Sequence, residues 1–524
     1  MLWWLEAVVI GFAVVLIGRV ALKRPIRREL KTRPLLGGIL VVGLVVAVAG
    51  MVWAARQSEP VRYAIVAGIG SVAVFAWWRA RPEYGLGRGL PPGSLGLAAS
   101  LDAVDDPDFY TRSAARWGAV FKTAQVHQSV ACVTDAAMGL DLIERRKDAL
   151  VQVEWPFNRL FPGGYFEFMN GDLHARYRAL FAPALGPEVL ADSRVTMVTS
   201  VRRQLEEMAR AADRGNLDPE PFLYPMTFPV LVRVVLGVSV DDPLMPTLRE
   251  LFTELNRPYE LFLPTPLRME TAYRRTAAVV GELTRAAATA GPAPVGARSV
   301  LSQVIASDPS RASDETLIGN LIMMVKDGST IVRGQLRFVI RAIADDPGWA
   351  ARLVEVASSP NPDGAGVDAM AASLVHETLR LFGTQYVYRR LASDLEVGSF
   401  RIPKGWLLRI CFDAAHTNQN RYPEPKRFDP NRFIEGCPGP TDYCPFGHGT
   451  HACVGAELTL EIARTLCREA AFGYQIRTVA DGAVWRINRH WGIWRPSPSL
   501  RIAIAARTRS GVAGSSSIQT PHAS

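Results

Sequence analysis

Cys453 is the residue whose surroundings are best suited to chemistry. It lies in the segment 445–455 (PFGHGTHACVG), where three glycines let the backbone turn tightly, and an apolar helical run from Ala456 to Cys467 follows. The N–H groups at the start of that helix favour a thiolate, so we expect a lowered thiol pKa and a metal-binding or nucleophilic cysteine. One alternative is an inert buried cysteine. Another is a zinc site, although the spacing does not match the usual pairs of ligands, which here would be Cys444, His448, His451 and Cys453.

A second candidate site lies in the middle of a long helix. Residues 310–346 contain no proline, begin with a capping sequence around Asp314 and end before Pro347, which predicts one helix. Its apolar run is followed at once by a polar stretch that consists of Lys326, Asp327, Gly328, Ser329 and Thr330. The pattern is typical either of a core helix that reaches the surface for one turn or of a pocket wall.

The cysteine segment resembles a known haem-binding loop. Phe446, Gly449, Cys453 and Gly455 reproduce the F-x-x-G-x-x-x-C-x-G signature of the cytochrome P450 family of haem-thiolate monooxygenases. The resemblance runs from about residue 91 to residue 506 and is bacterial in character. It implies a mainly α-helical fold with small β-sheets, preceded here by about three transmembrane helices.

Two further motifs carry the same resemblance. Residues 376–380 (HETLR) look like the family's E-x-x-R helix, and residues 428–433 (FDPNRF) look like the later segment whose arginine completes an ion-pair triad. The resemblance implies that Glu377, Arg380 and Arg432 hold the fold around the cysteine loop, because a buried bidentate network orients the segments that it joins.

The resemblance also implies the cofactor and its ligands. Haem b (iron protoporphyrin IX) would take the Cys453 thiolate as its axial ligand, and its two buried propionates need cations or hydrogen-bond donors. Residues 171–178 (GDLHARYR) resemble the family's helix-C motif, in which His174 and Arg178 share one helix face. Arg389 matches the next propionate arginine, and Arg390 could replace it by a one-residue slip. His451 stands where the family usually has arginine, so we expect its charge to depend on pH.

The long helix departs from the family's pattern. Most monooxygenases of the family carry A/G-G-x-D/E-T, whose acid and threonine organise proton delivery. Counting back from Pro347 puts Ile331 at the threonine position and Thr330 at the acid position, whereas a one-residue slip puts Thr330 and Ser329 there. Both registers lack the carboxylate, and Asp327, about one turn earlier, is the remaining candidate to serve through water.

Lys326 lies one turn before Thr330 and is expected to line the distal pocket. A buried lysine is costly unless Asp327 or an anionic substrate group pairs with it. We hypothesise that this helix suits an acidic or strongly polar substrate group, or chemistry without the usual proton relay. The candidate pocket residues are Lys326, Ile331, Thr384 and Gln385.

Three functions are compatible with these motifs. The first is insertion of one atom of dioxygen into a lipophilic small molecule, with electrons from a separate ferredoxin- or reductase-type donor, because the chain has no room for a flavin or ferredoxin region. The second is another haem-thiolate reaction, such as hydroperoxide rearrangement, dehydration or oxidative coupling. The third is non-catalytic binding of haem and a ligand.

The first eighty residues predict a membrane anchor. Residues 35–55 are uncharged and mostly apolar, and residues 2–18 and 63–78 are shorter candidates for two more spans. The loop between the first two spans carries seven basic residues, which places it, and the body after residue 79, in the cytoplasm. We expect contacts between this loop and anionic membrane lipid. A Pro/Gly-rich hinge over residues 81–96, a catalytic domain over 97–506 and a disordered tail over 507–524 follow.

Composition agrees with this division. The 524 residues are 48% apolar and 21% charged, and their mean hydropathy is +0.09. That excludes a disordered chain or a disulfide-rich peptide. Six cysteines without a CxxC pair are typical of a reducing compartment. Because the membrane-proximal loop and the haem site account for much of the net charge of +9, we expect no nucleic-acid partner.

Overall fold

The structure is a computed structural model, and it describes residues 8–9, 11–15, 50, 53, 56–106, 108–125, 128–153, 163–212, 216–256, 265–358, 364–383, 386–479, 487–488, 494–495 and 500–507. Helices dominate it, and the expected mainly α fold with small β-sheets is confirmed. The helices are α1 (Glu59–Arg79), α2 (Leu97–Asp105), α3 (Phe109–Trp117), α4 (Ala136–Arg145), α5 (Gly171–Ala184), α6 (Pro187–Ala212), α7 (Glu220–Leu236), α8 (Met245–Leu255), α9 (Thr265–Ala290), α10 (Val300–Ser307), α11 (Glu315–Asp345), α12 (Pro347–Ala357), α13 (Gly364–Phe382), α14 (Asp413–His416) and α15 (Ala456–Gly473).

Among the described residues, α1 alone is long and apolar enough to cross a membrane. It has 21 residues rather than the 16 expected, because the Ser58 side chain caps its first turn and Pro60 is compatible with that turn. The expectation of about three spans is therefore not supported by the described part of the chain. Most of segment 2–18 and almost all of segment 35–55 lie outside the described residues.

The main sheet has five strands in the order β1-β2-β7-β4-β3. Strands β2 and β7 are parallel, and the other neighbours are antiparallel. Its members are β1 (Val120–Gln125), β2 (Gln128–Val133), β3 (Leu150–Val151), β4 (Tyr386–Leu391) and β7 (Leu407–Cys411). The strands expected near residues 395–402 and 407–412 appear as a two-stranded hairpin and as β7, respectively. The remaining strands are β5 (Leu395–Val397), β6 (Phe400–Ile402), β8 (Tyr474–Thr478), β9 (Ile487–Asn488), β10 (Trp494–Arg495) and β11 (Ile502–Ala506).

Lys122 of β1 ties the end of α1 to this sheet. Its side chain is fully buried, and Nζ donates hydrogen bonds to the carbonyl oxygens of Pro82 at 2.9 Å and Pro91 at 2.6 Å. The backbone N–H of Lys122 donates to Pro92 O at 2.7 Å, and Ser94 Oγ donates to Ala80 O at 2.6 Å. The expected hinge over residues 81–96 is thus hydrogen-bonded to the body and to the end of α1.

The centre of the fold is α11, which packs against α7, α9, α13 and α15. The Asp314 side chain accepts hydrogen bonds from the N–H groups of Thr316 and Leu317, so α11 begins at Glu315. The expected helix over residues 310–346 is confirmed except at its start, where Pro309–Ser313 forms a separate 3-10 turn. At mid-helix, a Cβ on Gly328 would lie 2.7 Å from Cδ1 of Leu231, so the glycine permits the close approach of α7.

Candidate active site

The cysteine loop folds back on itself before α15. The Cys453 N–H donates to Phe446 O at 2.9 Å, and Gly449–His451 forms a 3-10 turn between them. Gly447 and Gly449 have φ values of +71° and +72°, which favour glycine. Gly455 caps α15, and a Cβ on it would lie 3.9 Å from Cys453 Sγ. The spacing of glycines in the sequence therefore reflects backbone turns around the sulfur.

The Cys453 thiol differs from our expectation in its electrostatics. The side chain has accessible surface, but that surface faces the protein interior, and burial raises the pKa of the thiol. The Gly455 N–H lowers this pKa but does not outweigh burial. The expectation of a lowered thiol pKa was wrong for the protein alone. A bound metal cation is what would hold this sulfur as a thiolate.

Four further donors converge near Cys453. Arg178 of α5 donates from Nη1 to Ala452 O at 2.5 Å, directly beside the cysteine. The His174 ring, one turn earlier, stacks on the His451 ring with centroids 3.7 Å apart. His174 Nε2 is buried without a hydrogen-bond partner in the described part of the chain. In the protein alone, burial, His174 and the nearby arginines lower the pKa of His451 to about 3, so the ring is neutral near pH 7.

Arg389 and Arg390 lie on opposite sides of β4. Arg389 is 7% exposed, and Nη1 donates to Tyr388 O at 2.8 Å and to Gln152 Oε1 at 3.3 Å. Burial lowers the pKa of Arg389 to about 10, although the nearby Glu167 opposes this change. Arg390 instead donates to Gly405 O at 3.0 Å, away from the cysteine loop. Arg389 is therefore the one of the two that lies beside His174 and His451, whose pKa values its charge lowers.

The three residues of the expected triad lie together. Arg380 donates from Nε and Nη2 to the two carboxylate oxygens of Glu377, both at 2.7 Å, and neither side chain is exposed. Arg432 Nε lies 3.6 Å from Glu377 Oε1. Arg380 Nη1 also donates to His416 O at 2.6 Å and Pro425 O at 2.9 Å. The network joins α13 to the chain that leads into the cysteine loop.

The polar stretch of α11 divides between two faces. Ser329 is buried, its Oγ donates to Lys326 O at 3.0 Å, and its carbonyl accepts from Thr227 of α7. Thr330 Oγ1 lies 3.1 Å from Lys326 O and 3.3 Å from Asn256 Oδ1, and its one hydrogen can be donated to either acceptor. Ile331 is 54% exposed although its neighbour in sequence, Val332, is buried. Neither hydroxyl is free to face an open pocket.

Lys326 and Asp327 form an ion pair of 3.0 Å between Nζ and Oδ1, with side chains 13% and 25% exposed. This is one of the two pairings that the sequence predicted for a buried lysine at this position. The two other candidate pocket residues, Thr384 and Gln385, lie outside the described residues.

Two functional candidates were missed by the sequence analysis. Asn320 of α11 accepts from the Phe166 N–H at 2.7 Å and donates to Gly164 O at 3.2 Å, so it fixes the turn Phe166–Phe168 beside the helix. Glu167 belongs to this turn and lies near Asp327 and Arg389. No sequence pattern marks Glu167, which stands in an aromatic segment (YFEF), because the charged residues near it, Asp327 and Arg389, are far away in the sequence.

The site fits a haem with two propionates. An unpartnered imidazole nitrogen on His174 and the guanidinium groups of Arg178 and Arg389 are suitable donors to carboxylates, and Cys453 Sγ is their neighbour. Zinc is not favoured, because His448 is bonded to Glu144 and Cys444 is buried in the core. No group of three or more metal-ligating side chains occurs among the described residues.

Comparisons with known proteins agree with this geometry. Residues 370–469 match the family model described as Cytochrome P450. Abscisic acid 8'-hydroxylase 3 of Oryza sativa subsp. indica is 25% identical in an alignment of 426 positions that covers 75% of this chain and 82% of that protein. Ent-kaurenoic acid oxidase 1 of Hordeum vulgare is 27% identical in an alignment of 452 positions that covers 78% of this chain and 90% of that protein. Cyanobacterial CYP120A1 with retinoic acid bound has a TM-score of 0.64 at 20% identity, over 78% of this chain and 96% of that chain.

The chain thus matches the cytochrome P450 family model over residues 370–469, and over most of its length it is similar to enzymes named as a hydroxylase and an oxidase. It is a haem-dependent monooxygenase, the first of the three functions that the sequence allowed. The match to the family model implies a haem with a cysteine thiolate ligand. Both sequence relatives are plant proteins, so the expected bacterial character is not supported.

Proposed function

We propose that this monooxygenase oxidises a lipophilic acid. The observation that carries the proposal is that relatives aligned over three quarters of the chain are named for abscisic acid and ent-kaurenoic acid. The reaction inserts one oxygen atom of dioxygen into an apolar part of the molecule and releases the other as water.

The haem b would be held between the cysteine loop and α5. Cys453 would supply its thiolate ligand, and Phe446 and Gly455 would shape the loop around the sulfur. His174, Arg178, Arg389 and His451 would bind the propionates. When bound, the haem supplies activation of dioxygen, and the thiolate donates electron density that favours cleavage of the O–O bond. The protein's own contribution is to orient this ring and to keep water from its buried faces.

Lys326 is the proposed contact for the substrate's acid group. An ammonium has three donors, and the hydrogen bond to Asp327 uses one of them. A substrate carboxylate on a second donor would be paired in a region where a lone charge is costly. Ile331, one helical turn after Asp327, would add apolar contact, and the expected pocket residues Thr384 and Gln385 would complete the pocket.

Spectral titration tests this substrate class. Adding a C15 or C20 terpenoid acid to the purified holoenzyme should shift the Soret band as substrate displaces water, and the methyl ester of the same acid should bind more weakly. In Lys326→Met, we expect the affinity for the acid to fall about tenfold, equivalent to about 1.4 kcal/mol, and the affinity for the ester to be unchanged. Lys404→Met, at an exposed position, is the control. Equal affinities for acid and ester in the native protein contradict the proposal.

We also propose a membrane location with a separate electron donor. The support is α1, whose apolar residues are exposed and whose last turn carries Trp77 and Trp78 next to Arg79. The proposed topology has three spans and a cytoplasmic catalytic domain, with membrane lipid around the basic loop. Protease protection of a C-terminal tag in sealed vesicles tests the orientation. Reconstitution with a ferredoxin system and with a diflavin reductase distinguishes the two kinds of donor.

A further inference from the structure

A histidine outside the motifs described above lies beside the start of the cysteine loop. His416 ends α14, the single helical turn that follows β7, and its N–H donates to Phe412 O at 2.9 Å. The side chain of His416 is fully buried. Because a buried imidazole fixes the position of the group that it binds, the contacts of this ring indicate which part of the chain it supports.

The ring of His416 binds the backbone where the cysteine loop begins. The Cys444 N–H donates to Nε2 of His416 at 3.0 Å in a buried hydrogen bond. A ring nitrogen that accepts carries no hydrogen, so the ring is the neutral form with its hydrogen on Nδ1. Burial and then the charge of Arg380 lower the pKa of His416 to about 3, so the ring stays neutral near pH 7. Without the ring, the Cys444 N–H would be buried and unpaired, which costs free energy.

Two further hydrogen bonds extend this contact in both directions. The carbonyl oxygen of His416 accepts from Nη1 of Arg380, the arginine of the buried ion pair on α13, at 2.6 Å. At the other end, Phe446 lies two residues after Cys444, and its carbonyl oxygen accepts from the Cys453 N–H at 2.9 Å. A path of short steps therefore leads from the ion pair of α13 to the backbone of Cys453, and His416 lies in its middle.

Tyr443, the residue before Cys444, is held in a different way. Its hydroxyl lies 2.9 Å from Nδ1 of His376 on α13 and donates to His376 O at 3.2 Å. Tyr443 is 7% exposed, so it is about as deeply buried as Cys444, which is 5% exposed. Its hydroxyl fixes its own side chain and does not bind the backbone of the loop. Tyr443 is therefore a matched control for the loss of a buried hydrogen bond at this place.

We propose that His416 is a positioning residue for Cys453, and that its Nε2 fixes the backbone at Cys444 so that the loop presents the cysteine sulfur to the haem in one place. His416 does not touch the reacting atoms. Its effect passes through the loop, in the way that groups outside a metal's ligand set orient the ligands themselves. The inference rests on the proposed haem site at Cys453, but not on the substrate class or on the proposed role of Lys326.

Two amide replacements test this role, because they place an acceptor at different positions of the former ring. In His416→Gln the amide oxygen can reach the place of Nε2, whereas in His416→Asn it reaches only the place of Nδ1. Hydrogen–deuterium exchange in the holoenzyme, followed in peptides that cover residues 443–446, measures the Cys444 hydrogen bond. We expect exchange to be about tenfold faster in His416→Asn, the factor for one lost buried hydrogen bond, and near the native rate in His416→Gln and Tyr443→Phe.

The carbon monoxide spectrum reports the cysteine sulfur. In reduced His416→Asn, part of the far-red-shifted Soret band of the native protein should be lost to the band of a haem without a thiolate ligand. His416→Gln should recover the native band. Tyr443→Phe should keep it, although both Tyr443→Phe and His416→Asn lose a buried hydrogen bond and should show similar losses in urea midpoint. A merely structural role for His416 would give these two variants the same spectrum.

The outcomes separate the proposal from the haem site on which it rests. Equal exchange rates and spectra in His416→Gln and His416→Asn overturn the proposal, and so does a native thiolate band in a His416→Asn variant with faster exchange. If His416→Asn does not fold, His416→Gln decides alone, because loss of its native exchange rate or of its thiolate band overturns the proposal and retention of both supports it. Absence of the thiolate band in the native protein would instead refute the haem site, and the exchange rates would still test the bond between His416 and Cys444.

Discussion

Arg380 binds the carboxylate of Glu377 through two parallel hydrogen bonds of 2.7 Å, and neither side chain is exposed to solvent. Such a pair is a weak source of net stability, because desolvation of two charges offsets their attraction. Its importance lies in position, because the spare donors of Arg380 bind carbonyl oxygens of the chain that precedes the cysteine loop.

Breaking this pair should destabilise the protein strongly. Arg380→Ala leaves the Glu377 carboxylate buried with the Asp429 N–H at 2.9 Å and the more distant Arg432 as partners. We expect a loss of about 3–5 kcal/mol in the free energy of unfolding. Urea denaturation of the holoenzyme, followed by the Soret band, measures it. Arg401→Ala, which removes an exposed ion pair with Asp394, should cost less than about 1 kcal/mol. Similar losses in the two variants would contradict this reading of the network.

Cys453 should be indispensable for the thiolate spectrum. Reduction of the native protein under carbon monoxide should give the far-red-shifted Soret band of a thiolate-ligated haem, and Cys453→Ser should abolish it. Cys437→Ser, which changes another cysteine with accessible surface, should leave the band unchanged. A far-red band that survives in Cys453→Ser would assign the ligand to a different cysteine.

The Thr330 hydroxyl should contribute little to dioxygen chemistry. It lies within hydrogen-bonding distance of Asn256 and of the backbone of its own helix, away from the exposed face that carries Ile331. In Thr330→Val, the ratio of product to released hydrogen peroxide should change less than about twofold, far below the effect of losing a positioned acid. Stability should fall by about 0.5–1.5 kcal/mol for the lost hydrogen bond. A large rise in peroxide release would restore Thr330 to the role of the family's threonine.

Lys122 should make stability depend on alkaline pH. Burial lowers the pKa of Lys122 from its ordinary 10.5 to about 8 in the folded chain, although Glu83 opposes the shift. Between these two values the unfolded chain binds more protons at this site, so the contribution of Lys122 to stability rises with pH. The gain in urea midpoint from about pH 7.5 to about pH 9.5 should be larger in the native protein than in Lys122→Met. Parallel pH profiles would show that Lys122 titrates normally.

The cysteine loop and the Glu377–Arg380 pair were predictable from the sequence because each consists of residues close together in the chain. Gly447 and Gly449 mark backbone turns that other residues rarely adopt, and the Glu377–Arg380 spacing is one helical turn. The long helix was also predictable, since its cap and its proline stop are local signals. In contrast, the pairing of β2 with β7 joins residues almost 280 positions apart, and no local pattern specifies it.

Glu167 and Lys122 illustrate the other limit of sequence reasoning. Both stand among apolar residues of short irregular or strand segments, where a single charged residue is usually at the surface. Their environment is created by distant segments. Asp327 and Arg389 lie near Glu167, and the carbonyl groups of Pro82 and Pro91 accept hydrogen bonds from Lys122. The lowered pKa expected for Cys453 failed for the same reason, because the desolvation of its cavity outweighs the helix N-terminus.

The hydrogen bonds of Lys122 make the connection between α1 and the body rigid. Lys122 binds the segment after α1 at Pro82 and at Pro91, and the Ser94 hydroxyl donates to the carbonyl of Ala80 at the end of the helix. These hydrogen bonds restrict rotation of α1 relative to the five-stranded sheet. If α1 spans a bilayer, a change in its tilt would therefore also change the orientation of the sheet. Because the thickness of the bilayer affects the tilt of a spanning helix, it would thereby also affect the orientation of the sheet relative to the membrane.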